Sequence, residues 1–171
     1  MHQIGPDEMR RQVAAEFKDV KAKGALALPQ AEVERIAAYF RAPAFETLPN
    51  EDLKDARRNK AFAAWHDTNV SAHKVPGYAI VTISLKPIGG IPGDASADQM
   101  DLVADLAKTY SFDEVRVSHE QNLVLAHVRQ RDLFALWQKL DGAGLATANY
   151  GLISDIIACP GLDYCALANA R

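Results

Sequence analysis

The segment from residue 78 to residue 85 constrains the fold of this chain more than any other stretch. It reads YAIVTISL, is rich in β-branched residues, and lies between the pair Pro76-Gly77 and Pro87. Side chains of this kind favour a β-strand, and the flanking proline and glycine residues mark its two ends. The chain therefore changes near residue 75 from a helical pattern to a pattern that contains strands.

Helices and strands alternate after this first strand. Ser96 and Gln99 have the spacing of a capping box, which predicts the start of a helix. We predict strands over residues 114–118 and 123–128 with a turn between them, then a second helix, and a last strand over residues 152–158. The order β-α-β-β-α-β predicts an α+β fold of the ferredoxin-like, split βαβ type, with both helices on one face of an antiparallel sheet.

The part of the chain before residue 75 has helical periodicity instead. Helices are predicted to begin at Pro6, at Pro29 and shortly before Phe62. Their apolar faces are too large for these few residues to cover. We therefore predict that residues 1–74 form a helical linker or appendage and that residues 75–171 form the ferredoxin-like half-domain.

Composition argues against several classes of partner. Charged residues make up 24% of the 171 residues, and the net charge is −3. This balance gives no electrostatic reason to expect nucleic acid or an anionic membrane as a partner. No apolar run approaches the roughly 20 residues that span a bilayer, and the first twenty residues lack the apolar core of a signal peptide. We expect a cytoplasmic protein.

The two cysteines, Cys159 and Cys165, directly follow the last predicted strand and flank a Pro-Gly turn. The five intervening residues allow the chain to fold back, so that both sulfur atoms can face one centre. This C-x5-C spacing differs from the C-x2-C spacing of zinc knuckles and thioredoxin-like motifs. Two buried, structural thiols are the alternative interpretation.

A metal site built on these cysteines would be incomplete. An iron–sulfur cluster with four irons takes four thiolates, and structural zinc also takes four ligands. His119 and His127 are the nearest candidates to complete a zinc site, but they flank one hairpin and need not converge. The residues alone therefore predict half of a site, with the other half elsewhere in a longer sequence or in a second copy of the chain.

Two stretches carry a resemblance to a known family. They read VRVSHEQNLVLAHV, over residues 115–128, and SDIIACPGLDYCALANAR, over residues 154–171. Together they resemble the second half of the sirohaem-dependent nitrite and sulfite reductases, and the resemblance covers roughly residues 75–171. Those enzymes contain two ferredoxin-like half-domains in tandem, and a C-x3-C pair after the C-x5-C pair completes a four-iron, four-sulfur cluster.

The resemblance implies roles for four residues. Cys159 and Cys165 match the first cysteine pair and would be metal ligands of the cluster. Gln121 and Asn122 match the hairpin turn that faces the sirohaem and would be cofactor-binding. Ordinary turn chemistry is the alternative interpretation of these two residues. The resemblance assigns no catalytic residue to this chain.

The implied activity is the six-electron reduction of sulfite to sulfide by sirohaem and a 4Fe-4S cluster. A nitrite reductase of the same family, a non-catalytic ferredoxin-like binding module and a homodimer that pools four thiolates are the alternatives. The implied partners are the remainder of the reductase and an electron donor, either a flavoprotein or a ferredoxin. We expect this chain alone to be inactive and to hold no complete cofactor. Lys86 and Arg116, two cations near the same sheet edge, are interpreted as solvated strand residues.

Overall fold

The computed structural model describes residues 4–25, 27–159, 161–163 and 165–169. The chain forms two compact units, Met1–Ala44 and Phe45–Arg171. The first unit contains helix α1, Pro6–Ala22, and helix α2, Gln30–Ala38. Helix α1 begins at Pro6 as predicted, and α2 begins at Gln30, one residue after the predicted Pro29, which is its N-cap. Every residue of the two helices is at least partly exposed.

The second unit contains the sheet. Its helices are α3, Lys60–Asn69; α4, Ala97–Tyr110; and α5, Leu133–Gly142, and its strands are β1, Val70–Ala72; β2, Tyr78–Ile83; β3, Arg116–Val117; and β4, Leu123–Arg129. The strand order is β1-β2-β4-β3, and every neighbouring pair is antiparallel. The predicted α+β, ferredoxin-like fold class is therefore confirmed.

Local sequence signals account for the helix starts in this unit. The side chain of Asn59 accepts hydrogen bonds from the backbone N–H groups of Ala61 and Phe62 and caps α3. Ser96 and Gln99 form the predicted capping box at the start of α4. Each cap satisfies backbone donors that the first helical turn leaves without a partner.

The core lies between the helices and one face of the sheet. Alternate residues of β2 point to this face, since side chains in a strand change sides at every residue. Val81 and Ile83 are fully buried there, against Phe62 and Trp65 of α3. The remaining core side chains come chiefly from β4, α4 and α5 and include Leu106, Leu125, Leu133, Leu136 and Leu140.

The last predicted strand is wrong. Residues 152–158 contain a short 3₁₀ turn, Ile153–Asp155, followed by extended chain without a strand partner among the described residues. The free edge of β2 pairs instead with β1, in the register Val70↔Val81. Strand β1 thus occupies the edge on which a further strand would have added to the sheet.

The second unit begins before the boundary predicted at residue 75. Helix α3 and strand β1 belong to it, because α3 contributes Phe62 and Trp65 to the core. The division into a linker and a half-domain stays a prediction about domain organisation. Among the described residues, none of the helices is long and apolar enough to cross a lipid bilayer.

Candidate functional site

The candidate site is the junction between the β3–β4 hairpin and residues 151–159, which we call the cysteine segment. Gln121, in the hairpin turn, has a positive φ of 60°. Its side-chain Nε2 donates to the carbonyl oxygen of Ala158 at 2.8 Å, and the N–H of Ala158 donates to its Oε1 at 3.0 Å. Two hydrogen bonds thus join the turn to the residue that immediately precedes Cys159.

A buried ion pair lies beneath this junction. Nζ of Lys86, three residues past the end of β2, is 2.7 Å from Oδ1 of Asp155, and the two side chains are only 2% and 5% exposed. The same ammonium group donates to the carbonyl oxygen of Glu120 and, at 3.1 Å, to Oδ1 of Asn122. One cation therefore connects β2, the hairpin turn and the cysteine segment.

This finding corrects one of the two interpretations of the cations near the sheet edge. Lys86 is not solvated, because its side chain is only 2% exposed and pairs with Asp155. Asp155 lies 69 residues further along the chain, so this contact forms only in the folded structure. The interpretation of Arg116 as a solvated strand residue agrees with the structure, since Arg116 is exposed on β3 and pairs with Glu114.

Asn122 is fully buried and completes the network. Its Oδ1 accepts from the N–H of Leu85 at 3.2 Å, and its Nδ2 donates to Oδ1 of Asp155 at 2.9 Å. The N–H of Gly151 donates to the other carboxylate oxygen, Oδ2, at 2.9 Å. Burial raises the pKa of Asp155, but the hydrogen bonds from Asn122, Gly151 and Lys86 outweigh it and lower the pKa below its ordinary value.

The two cysteines are free thiols. Cys159 is exposed and Cys165 is half-buried. The N–H of Cys165 donates to the carbonyl oxygen of Gly161 at 2.9 Å, so the chain turns between the two cysteines. Within the described ranges, no group of three or more His, Cys, Asp or Glu side chains is placed to hold a metal ion. The chain has two thiols, whereas a four-iron, four-sulfur cluster takes four thiolates.

The histidines contact different partners from the cysteines. The side chain of His119 is 87% exposed and lies 3.1 Å from Glu120. His127 lies in β4 and its ring pairs with His73. The predicted metal ligands Cys159 and Cys165 are thus not joined by these two histidines.

The side-chain amides of Gln121 and Asn122 are both engaged within the chain. Gln121 uses its donor and its acceptor on Ala158, and Asn122 bonds to Leu85, Lys86 and Asp155. Each amide donates one of its two N–H groups within the chain, to the carbonyl oxygen of Ala158 and to Oδ1 of Asp155. That either residue contacts a sirohaem stays a prediction.

An apolar groove of 470 Å³ runs along the cysteine segment. Its apolar lining consists of Leu152, Ile153, Ile156 and Ile157, and all four are exposed, Ile153 by 87%. Glu120 of the hairpin turn forms part of the groove wall. The sequence does not reveal this groove, because the same run of isoleucines predicts a strand.

Comparison with known proteins gives a family match over strands β2, β3 and β4 and the hairpin between the last two. Residues 74–143 match the family described as the nitrite/sulfite reductase ferredoxin-like half domain. These matched residues are similar to a half-domain of the nitrite/sulfite reductases. The chain is also similar to the chloroplastic ferredoxin–nitrite reductase of Betula pendula, with 28% identity over 138 residues, 75% of this chain. The aligned part spans 22% of that relative's length.

The family match agrees with the resemblance carried by the hairpin. Lys86, Gln121 and Asn122 lie inside the matched residues of the nitrite/sulfite reductase half-domain, whereas Asp155 and both cysteines follow them. The network of Lys86 and Asp155 therefore joins the half-domain proper to the segment that bears Cys159.

A second polar cluster lies at the opposite end of β4 in this half-domain. The N–H of Val75 donates to Nδ1 of His73 at 2.8 Å, and Nε2 of His73 is 3.0 Å from Nδ1 of His127. Because Nδ1 of His73 accepts, its proton must lie on Nε2, which then donates to His127. Nε2 of His127 lies 3.5 Å from Glu114. This chain of hydrogen bonds requires both rings to be neutral.

Acidification from pH 7 to pH 5 should lower the free energy of unfolding through His127. Burial lowers the pKa of His127, although the nearby Glu114 opposes this shift. Below the ordinary histidine pKa of about 6.5, the unfolded chain therefore takes up a proton that the folded chain does not. One such proton changes stability by up to about 1.4 kcal/mol per pH unit. The measurement is urea unfolding at a series of pH values.

The replacement His127→Gln should reduce this pH dependence. The matched control is His119→Gln, which changes an exposed ring and should leave the slope as it is. His66 retains part of the slope in both variants, because burial lowers its pKa as well. A slope in His127→Gln equal to that of the unchanged protein would contradict the prediction.

Proposed function

We propose that this chain is a section of a larger reductase that uses sirohaem and a 4Fe-4S cluster to reduce an oxyanion by six electrons. One observation carries the proposal. The hairpin turn of a nitrite/sulfite reductase half-domain is hydrogen-bonded, through Gln121 and Ala158, to the residue directly before Cys159. A cofactor that contacts both the turn and the thiol would therefore meet them at one junction.

The proposal assigns Cys159 and Cys165 as two of the four cluster ligands. The C-x5-C spacing and the turn between the two residues support this assignment. The other two thiolates come from another part of the longer protein. The cluster, when bound, supplies electrons one at a time to the reacting anion. Gln121 and Asn122 form one wall of the sirohaem pocket.

Two anions fit the proposal. Overall likeness to the family favours sulfite, which would be reduced to sulfide. The similarity to a plant nitrite reductase favours nitrite, whose six-electron product is ammonium. The name of the same relative supports a ferredoxin as electron donor, with a flavoprotein as the alternative. The cytoplasmic location predicted from composition stays a prediction.

The test uses the longer protein that contains this chain, with reduced methyl viologen as the electron donor. We expect sulfite or nitrite to be consumed with six electrons per anion. Reduction of neither anion would contradict the proposal.

The chain by itself provides a second measurement. After treatment with iron and sulfide, we expect fewer than four irons per chain, because the chain has only two cysteines. Four irons per monomer in a native mass spectrum would contradict the proposal. Four irons per pair of chains would support the homodimer that pools its thiolates, and would count against a reductase section.

A further inference from the structure

We propose that Lys86, Gln121, Asn122 and Asp155 are positioning residues that set where Cys159 lies relative to the hairpin. They shape the proposed pocket through the cysteine segment. The role of Cys159 as a ligand rests on the proposed function. The positioning itself rests on the contacts of this chain.

The first argument is the burial of the ion pair. Taking a lysine and a carboxylate out of water costs several kcal/mol per ion, which attraction offsets only when other hydrogen bonds satisfy the remaining donors and acceptors. Lys86 and Asp155 meet this condition, since Asn122 bonds to both of them. A replacement by apolar side chains would cover the same space without orienting the segment. What the ion pair adds beyond burial is therefore a fixed orientation of the cysteine segment.

The second argument is the conformation of Gln121. A non-glycine residue at a φ of 60° is sterically strained relative to right-handed backbone, because its Cβ approaches the following carbonyl oxygen. Glycine would remove this strain but would also remove both hydrogen bonds to Ala158. The glutamine amide acts here as a substitute for a strand partner, because residues 152–158 pair with no strand.

The third argument is the lack of apolar anchoring. The four large apolar side chains of the cysteine segment are exposed, so hydrophobic burial holds the segment only weakly. Its polar anchors lie at Gly151, Asp155 and Ala158, spaced along the approach to Cys159. Removing these anchors should release the segment and leave the core intact.

The test measures amide hydrogen exchange in the full chain, with NMR spectroscopy used to detect the exchange of each residue. In Gln121→Gly we expect the amide of Ala158 to exchange about tenfold faster or more, because its acceptor is gone. The amide of Val81, in the centre of the sheet, should change by less than about twofold. The matched control is His119→Gly, which also places glycine in the hairpin turn but removes an exposed side chain.

Two results of this exchange experiment would overturn the proposal. The first is an unchanged exchange rate at Ala158 in Gln121→Gly. The second is an equal acceleration at Ala158 and Val81, which would show a general loss of stability. Both readouts are independent of any cofactor, so they do not depend on the proposed function.

The longer protein gives the functional readout. In Gln121→Gly we expect the iron content to stay the same and the reduction potential of the cluster to differ from that of His119→Gly. Outer contacts that orient a ligand tune a metal centre in this way. Identical potentials in the two variants would overturn the positioning role. A longer protein without a cluster would overturn the proposed function alone, provided that the exchange result holds.

Discussion

Replacing Lys86 by methionine should lower the free energy of unfolding by about 3–5 kcal/mol. The change removes the cation from a carboxylate whose side chain is only 5% exposed. It also removes a donor from the carbonyl oxygen of Glu120 and from Oδ1 of Asn122. A buried charge without its partner is among the few causes of so large a loss. Urea unfolding at pH 7, followed by the fluorescence of the buried Trp65 and Trp137, measures the effect.

Two further variants test the cause of this loss. The double variant Lys86→Met, Asp155→Leu should recover part of the lost stability, because it removes the stranded carboxylate as well. The exposed pair of Lys108 and Asp105 provides the control, with side chains 63% and 77% exposed. Lys108→Met should change stability by less than about 1 kcal/mol. A double variant no more stable than Lys86→Met alone would contradict the electrostatic explanation.

Local signals were sufficient to predict most of the second unit. The capping box of Ser96 and Gln99 and the β-branched run of β2 act within a few residues, so they can be found in the sequence. Strand β1 could not be found in the sequence, because it has only three residues and two of them are exposed. The sequence predicts a strand over residues 152–158 because isoleucines favour strands, but β1 occupies the edge beside β2 in the folded structure.

The candidate site was predictable only in part. The cysteine spacing and the Gln121-Asn122 turn can be identified in the sequence, since each is a short local pattern. The contacts that join the hairpin turn to the cysteine segment cannot be identified in the sequence. The ion pair of Lys86 and Asp155 spans 69 residues, and the contact of Gln121 with Ala158 spans 37. Such long-range pairing depends on the fold of the whole sheet.

If the proposed function holds, Cys159→Ser or Cys165→Ser in the longer protein should abolish cluster binding and reduce the turnover of sulfite or nitrite by about a hundredfold or more. Losing an outer-shell partner of a metal ligand already costs about 10- to 100-fold in affinity or activity, and these variants remove the ligand itself. A serine hydroxyl is a poor substitute, because iron–sulfur clusters are held by thiolates. Iron and sulfide analysis, visible absorption and anion turnover measure the result.

The alternative interpretation of both cysteines as structural thiols makes the opposite prediction. It expects a loss of stability with the cofactor content unchanged. Because Cys159 is exposed, Cys159→Ser should change the unfolding free energy of the isolated chain by no more than about 0.5 kcal/mol. The control Ala158→Ser adds a hydroxyl beside the thiol and keeps the ligand, so its cluster content should be normal. Serine variants that retain four irons per longer protein would exclude Cys159 and Cys165 as ligands.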